Sequence, residues 1–208
     1  MLFRSSYGNL YAGWDVARKK DLSVIWLMER VGDVSWTRGV IEMRNVPTPD
    51  QVAEVRRLMP MIRRLVIDKS SMGLSIFEQL YREFGGMVEG VQFTQATKEA
   101  LAVGLKGRME EKKMRIPDTT MIRNSFRSVK KTTTLAGQAR FDATHDQQFG
   151  HADHFWAACL AESGASVPVA HLSEIWEGIQ LPRPITAGIL DDVEFQHTSF
   201  KGLLTKIL

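Results

Sequence analysis

The segment GWDVARKKDLSVIWLME (13–29) decides the predicted fold. A short run ends in Asp15, a basic break RKKD follows, and residues 22–29 are apolar and β-branched enough for a central strand. Residues 33–44, which follow a second short break, alternate between apolar and polar side chains as a strand does. Because breaks this short join antiparallel neighbours, the first 44 residues are predicted to form an antiparallel meander.

Helices and strands alternate after this meander. The predicted strands cover residues 64–68 and 87–93, and a hairpin covers 132–142. The predicted helices cover residues 47–61 (with Thr48 as candidate N-cap), 75–84, 98–114, 119–129 and 150–161. An antiparallel meander followed by βα units is typical of the α/β class. The sequence therefore predicts a mixed central sheet with helices on both faces.

The composition predicts one main domain. The 208 residues divide into a patterned part, 1–162, and an irregular acidic extension, 163–208. No apolar run reaches the ~18–20 residues that a membrane span needs, and the first residues are too polar for a secretory signal. We therefore expect a cytoplasmic protein. The single cysteine, Cys159, excludes a disulfide framework within the chain and a cysteine-based zinc site.

The net charge of +3 identifies no partner, but the charges are unevenly distributed. Residues 104–131 carry nine Lys or Arg against three acids, whereas residues 162–208 carry three against six. A basic middle and an acidic tail are consistent with a polyanion bound by the body of the domain. A solvated helix face explains the same pattern, and charge alone does not separate the two interpretations.

Three aspartates fall where a metal site would be built. Asp15 and Asp68 each end a predicted strand, and Asp153 lies in the first turn of a predicted helix. Strand ends of an α/β sheet meet at its carboxyl edge, and three carboxylates there would repel one another unless a cation balanced them. Mg²⁺ suits such oxygen ligands. Taken singly, each aspartate is equally explained as a helix cap or a turn residue.

The segment GHADHFWA (150–157) allows a different site. His151, Asp153 and His154, together with the pair at 145–146, could form a histidine-rich zinc or iron centre. That centre needs further nitrogen ligands, and only His171 and His197 remain, both in the irregular tail. The carboxylate interpretation is therefore preferred, with the apolar residues after Asp153 anchoring its helix in the core.

Three segments in this order resemble a known family. They are GWDVARKKDLSVIWLME (13–29), LVIDKSSMGLSIFEQL (65–80) and GHADHFWAACLA (150–161). Over roughly residues 8–162 the chain is similar to the C-terminal nuclease domain of large terminase subunits from tailed bacteriophages, with the Mu-like phages and prophages as the candidate group. That domain has the ribonuclease H-like fold.

The resemblance implies an endonuclease that cuts double-stranded DNA during genome packaging and uses two divalent ions, Mg²⁺ or Mn²⁺. Asp15, Asp68 and Asp153 match the acidic triad of the family, and Asp21 matches an additional acid after the first strand. His151 occupies the segment ahead of the last acid, which implies a supporting role. His154 stays unassigned.

The basic stretch supplies the candidate DNA contacts. The lysines and arginines proposed to bind phosphate are Lys106, Arg108, Lys112, Lys113, Arg127, Lys130 and Lys131. The hairpin around Gly137 matches an element beside the family's site. The expected protein partners are a terminase ATPase motor region, a small terminase subunit and a portal protein.

Large terminases carry an ATPase motor, but no GxxxxGK[ST] phosphate loop occurs in the chain. Because of this departure from the family, two other functions stay open. The same acidic cluster would serve a junction resolvase or an RNA–DNA hybrid nuclease. A non-catalytic packaging module that docks on a portal is the third candidate.

Overall fold

The computed structural model describes residues 9–17, 22–70, 72–133, 139–143 and 152–166. The eight strands are β1 (Leu10–Asp15), β2 (Leu22–Val31), β3 (Val34–Arg44), β4 (Ile62–Asp68), β5 (Val88–Val91), β6 (Met114–Arg115), β7 (Val129–Thr133) and β8 (Ala139–Ala143). The five α-helices are α1 (Thr48–Leu58), α2 (Gly73–Phe84), α3 (Gln95–Glu110), α4 (Thr120–Ser128) and α5 (Asp153–Ser166). Both sets refer to the described ranges.

Six strands form the central sheet in the order β5-β4-β1-β2-β3-β6. The strands β1, β2 and β3 are antiparallel neighbours, as the meander predicted. The strands β4 and β5 extend the sheet in parallel on one side, and β6 pairs in parallel with β3 on the other. The predicted mixed α/β sheet is confirmed. The hairpin is also present, as the separate pair β7 and β8.

The two faces of the sheet carry separate hydrophobic clusters. Trp14, Ile25 and Leu65 belong to the cluster that includes residues of α1 and α2. Val24 and Trp26 belong to the cluster on the opposite face, which includes residues of α3, α4 and α5. This separation follows from the period of two along each strand, because successive side chains point to opposite faces.

Helix α5 is the central helix of the second face. Eleven of its 14 residues are buried, including the consecutive run from Asp153 to Glu162. A helix that is apolar nearly all round is covered on every side. Here β1, β2 and β4 contact it from the sheet, and α3 and α4 contact it as well.

Some local predictions are corrected. Thr48 is not the N-cap of α1, since Pro47 holds that position and no side chain caps the helix. The predicted helix over 98–114 begins earlier, at Gln95, and ends at Glu110. Residues Met114–Arg115 form the edge strand β6 instead. Two residues give too short a pattern to distinguish a strand from the end of a helix.

Within the described residues, no helix combines the length and apolar character needed to cross a membrane. Residues 167–208, most of the predicted acidic extension, lie outside the part of the chain that the structure describes. The division at residue 162 therefore stays a prediction, and α5 continues past it to Ser166.

Candidate functional site

Asp15 and Asp68 lie at the ends of neighbouring strands. The parallel register pairs Gly13 with Val66 and Trp14 with Ile67, so the next pair along the two strands is Asp15 and Asp68. Both aspartates point to the face covered by α5, because Trp14 and Ile67 point to the other face. The sheet therefore brings two of the three predicted aspartates to one edge and one face.

The backbone of Asp15 is held from the opposite face of the sheet. The indole Nε1 of the fully buried Trp14 donates to Ser23 Oγ at 2.9 Å. The Ser23 hydroxyl in turn donates to the carbonyl oxygen of Asp15 at 3.2 Å. This chain of hydrogen bonds fixes the end of β1, and no pattern in the sequence predicted the role of Ser23.

Asp68 opens a tight turn. Its Oδ1 accepts a hydrogen bond from the backbone N–H of Ser70 at 2.9 Å. The turn closes against α2, where a Cβ at Gly73 would lie 1.8 Å from the carbonyl oxygen of Asp68. Glycine is therefore required at position 73. Asp68 is a turn residue, and its role in a site stays a prediction.

Asp153 is brought to the same edge by the packing of α5 on β1. A Cβ at Gly13 would lie 2.1 Å from the carbonyl oxygen of Ala157 and 2.2 Å from the backbone nitrogen of Ala161. The helix backbone thus rests directly on the glycine of GWD. Asp153 is one helical turn from Ala157, and Asp15 is two residues beyond Gly13 towards the same edge.

The start of α5 is fixed by neighbouring elements. The backbone N–H of Phe155 donates to Ser125 Oγ of α4 at 3.2 Å, and that of Trp156 donates to the carbonyl of Ala152 at 3.1 Å. Both first-turn amides therefore have partners other than the Asp153 carboxylate. Asp153 itself is only 7% exposed.

The buried His154 has a defined partner. Its Nε2 lies 2.8 Å from Oε1 of Glu42 on β3, and the imidazole is nearly inaccessible to solvent. The hydrogen bond with His154 is the main cause that lowers the pKa of the Glu42 carboxyl below its ordinary value. Glu42 pairs across the sheet with Val24, which pairs with Asp15. His154, unassigned from sequence, thus attaches the start of α5 to the row of residues that contains Asp15.

The far end of α5 holds a second buried carboxylate. Glu162 Oε1 lies 2.7 Å from an Arg30 terminal nitrogen and 3.0 Å from Arg108 Nε. Its Oε2 accepts from Ser35 Oγ at 2.6 Å. Arg30 and Ser35 flank the turn between β2 and β3, so this network lies at the opposite edge of the sheet from Asp15.

The family model of the terminase RNaseH-like domain matches residues 12–163. The chain belongs to this family. The match spans most of the chain and contains Asp15, Asp68 and Asp153. A search of curated proteins found no match.

Solved structures place the fold among terminase nuclease domains. The large terminase nuclease from thermophilic phage G20c with bound magnesium is 22% identical with a TM-score of 0.66, over 77% of this chain and 83% of that one. The nuclease domain of the large terminase of bacteriophage SPP1 with bound Mn is 16% identical with a TM-score of 0.52, over 76% and 86%. The HK97 bacteriophage large terminase is 12% identical with a TM-score of 0.60, over 78% and 40%. The predicted ribonuclease H-like fold is confirmed.

The remaining predicted site residues of this terminase RNaseH-like domain fall into groups according to where they lie. Asp21 and His151 lie outside the described residues, and their roles stay predictions. The same holds for the histidine-rich centre, because His154 is the only histidine in the described part of the chain. His154 is paired with Glu42.

Four of the predicted DNA contacts lie at the edge opposite Asp15. The Arg108 guanidinium contacts Glu162 and the carbonyl of Asp33 in the β2–β3 turn, and Lys113 pairs with the Asp33 carboxylate at 3.2 Å. Lys106 lies near the carboxyl end of α3, where it pairs with Glu110 at 3.1 Å, and Lys112 follows the end of that helix. Their assignment to DNA binding stays a prediction, but any phosphate that they bind lies away from the aspartates.

The other three predicted DNA contacts follow α4 into the hairpin. Arg127 and Lys130 are exposed and come just after Ser125, which contacts the start of α5. Lys131 lies in β7, with its side chain outside the described part. The bend near Gly137 is outside it too. Arg127 and Lys130 are thus on the side of the domain that carries Asp153.

Proposed function

We propose that this chain is a Mg²⁺- or Mn²⁺-dependent endonuclease that cuts double-stranded DNA during phage genome packaging. The observation that carries the proposal is the placement of Asp15 and Asp68 at the ends of paired parallel strands, under the helix whose first turn carries Asp153. Family membership and the likeness to nuclease domains crystallised with magnesium or manganese support it.

The donor chemistry fits divalent ions. Asp15, Asp68 and Asp153 would hold them, with Asp21 as an additional ligand, since carboxylate oxygens suit Mg²⁺ and Mn²⁺. In the described part of the chain, no three His, Cys, Asp or Glu side chains are already gathered into a metal cluster. The proposal therefore requires the carboxylates to turn towards one another when ions bind. Two bound ions supply an activated water and stabilise the leaving oxygen of a phosphodiester.

The chain's own residues hold the carboxylates in place for this role. Ser23 fixes the end of β1, and Ser70 orients the Asp68 carboxylate. The contact between α5 and Gly13 fixes the height of Asp153 above the sheet. These restraints act on the backbone of Asp15, on the carboxylate of Asp68 and on the helix that carries Asp153. Among the described residues, Arg127 and Lys130, which are exposed, are proposed to bind DNA near these carboxylates, and His151 is proposed to support the site.

Packaging defines the proposed partners. Besides double-stranded DNA, they are the ATPase motor region of a large terminase, a small terminase subunit and a portal protein. This chain matches 40% of the HK97 large terminase, which is consistent with a nuclease portion that works alongside a motor. The proposed location is the cytoplasm of a phage-infected or prophage-carrying bacterium.

Cleavage of plasmid DNA with Mg²⁺ or Mn²⁺ tests the proposal. Wild-type protein should convert supercoiled plasmid to linear product, and Asp68→Asn should reduce the rate by about 10³-fold or more, because it removes a charged metal ligand. Asp50→Asn, at an exposed position in α1, is the matched control and should cut normally. Equal rates for wild type and Asp68→Asn would overturn the metal-nuclease assignment.

A further inference from the structure

Lys98 lies close to the candidate site although no sequence pattern singled it out. It belongs to the first turn of α3, and its Nζ lies 4.8 Å from the ring centroid of Trp156 and 5.3 Å from that of Phe93. Trp156 follows Asp153 by three residues on α5, which places the two within one helical turn. A lysine ammonium is therefore held against the turn that carries Asp153.

The segment that carries Lys98 is also tied to Asp68. The backbone N–H of Phe93 donates to Ser70 Oγ at 3.0 Å, and the N–H of Ser70 donates to Asp68 Oδ1 at 2.9 Å. A capping box formed by Thr94 and Thr97 then fixes the first turn of α3. The position of Lys98 is thus defined relative to both aspartate-bearing elements.

The surroundings of Lys98 leave its charge available to an anion. Among the described residues, no carboxylate forms an ion pair with Lys98, whereas Lys106 pairs with Glu110 on the same helix. The faces of Phe93 and Trp156 stabilise an ammonium without cancelling its charge. They also restrict the side chain, so that less conformational entropy is lost when the ammonium binds a ligand.

We propose that Lys98 binds a backbone phosphate of duplex DNA beside Asp15, Asp68 and Asp153, with Phe93 and Trp156 holding its side chain in position. The inference rests on the proposed function and names a DNA contact for it. A phosphate contact of this kind sets the position of the strand and does not select its sequence. Lys98 thus lies at the carboxyl edge of the sheet, away from the carboxyl end of α3 and the lysines that follow it.

Steady-state cleavage of a blunt-ended DNA duplex with Mn²⁺ tests this inference on the full chain. In Lys98→Gln, KM should rise several-fold with little change in kcat, and the slope of log KM against log salt should fall by about 0.9, the value for one lost phosphate contact. Lys98→Met, which keeps an apolar side chain on the rings, should behave in the same way. Lys98→Arg should restore both quantities, and Arg82→Gln, at an exposed position in the last turn of α2, should match wild type.

The outcomes separate the two proposals. If wild type cuts and both Lys98→Gln and Lys98→Met match Arg82→Gln in KM and salt slope, Lys98 is not a phosphate contact and the proposed function stands. A loss of kcat in Lys98→Gln that Lys98→Arg does not restore also overturns the inference, because it indicates a structural role. If wild type cuts no DNA with either metal, the proposed function fails and this inference fails with it.

Discussion

The amino end of α5 carries Asp153 and reaches the edge where Asp15 and Asp68 end their strands, while its carboxyl end carries Glu162 at the opposite edge. Glu162 lies within ion-pair distance of both Arg30 and Arg108 and accepts a hydrogen bond from Ser35. Asp68, by contrast, accepts a backbone amide and forms no ion pair with a lysine or arginine of the described residues. One edge neutralises its carboxylate within the fold, whereas at the other edge Asp68 has no cationic partner among the described residues.

Cys159 lies between Asp153 and Glu162 on α5, and carboxylates at both edges of the sheet affect the pKa of its thiol. Burial is the main cause that raises the pKa of its thiol, and the charges of Asp15 and Glu162 raise it further. The thiol is therefore kept neutral and inert, as a buried core residue is. The comparison indicates that cationic neighbours, which Glu162 has and Asp68 lacks among the described residues, decide whether a carboxylate is neutralised within the fold.

The largest expected effect comes from the contact between Gly13 of β1 and the backbone of α5. Gly13→Ala would place a Cβ 2.1 Å from the Ala157 carbonyl oxygen, so α5 must move away from β1. We expect a loss of more than about 4 kcal/mol in the free energy of unfolding, measured by urea denaturation, together with loss of cleavage.

Gly39→Ala is the matched control for this substitution. Its Cβ would lie 3.5 Å from a Leu27 side-chain atom, an ordinary contact, and the change should be within about 1 kcal/mol. Equal stability of the two variants would show that the close packing of α5 on Gly13 is not required.

A smaller effect is expected at the neutralised edge. Glu162→Gln removes the carboxylate that Arg30 and Arg108 share and should lower the free energy of unfolding by about 3 kcal/mol, since two largely buried cations lose their partner. Cleavage by the folded fraction should stay near that of wild type. Glu110→Gln, which breaks an exposed pair with Lys106, should cost little by the same denaturation measurement. If Glu162→Gln lost cleavage without losing stability, the claim that Glu162 stabilises the fold and takes no part in cleavage would be wrong.

The smallest effect concerns the link between His154 and Glu42. Because the hydrogen bond to His154 lowers the pKa of Glu42 in the folded state, the ionised Glu42 stabilises the fold above the ordinary glutamate pKa of 4.5. This contribution is lost as the pH falls through and below that value. The difference in unfolding free energy between wild type and Glu42→Gln should be under about 1 kcal/mol, given the exposure of Glu42, and should shrink on acidification. A difference that grows on acidification would contradict this prediction, because it would show that ionised Glu42 does not stabilise the fold.

Much of the fold follows from local sequence patterns. The short breaks on either side of residues 22–29 predicted the antiparallel meander, and the apolar runs before Asp15 and Asp68 placed both aspartates at strand ends. The edge strand β6 was missed because two residues carry no periodicity. The direct contact of α5 with Gly13 was also beyond prediction, since it joins residues far apart in the chain.

The charged side chains show the limit of prediction more clearly. Arg108 stands in a basic stretch typical of a nucleic-acid contact, yet it is an ion-pair partner of Glu162. Lys98 stands in the same helix at an unremarkable position, yet it lies on two aromatic rings beside Asp153. Which end of α3 approaches the site depends on how the helix crosses the sheet, and a charge count along the chain contains no such information.

Binding of Mn²⁺ to the full chain, measured by calorimetric titration, tests the central claim that the carboxyl edge holds metal and the opposite edge does not. We expect saturable binding by wild type, unchanged affinity in Glu162→Gln, and at least about tenfold weaker binding in Asp15→Asn, because only the last loses a ligand. Wild-type affinity in Asp15→Asn, or no binding by wild type, would contradict the account.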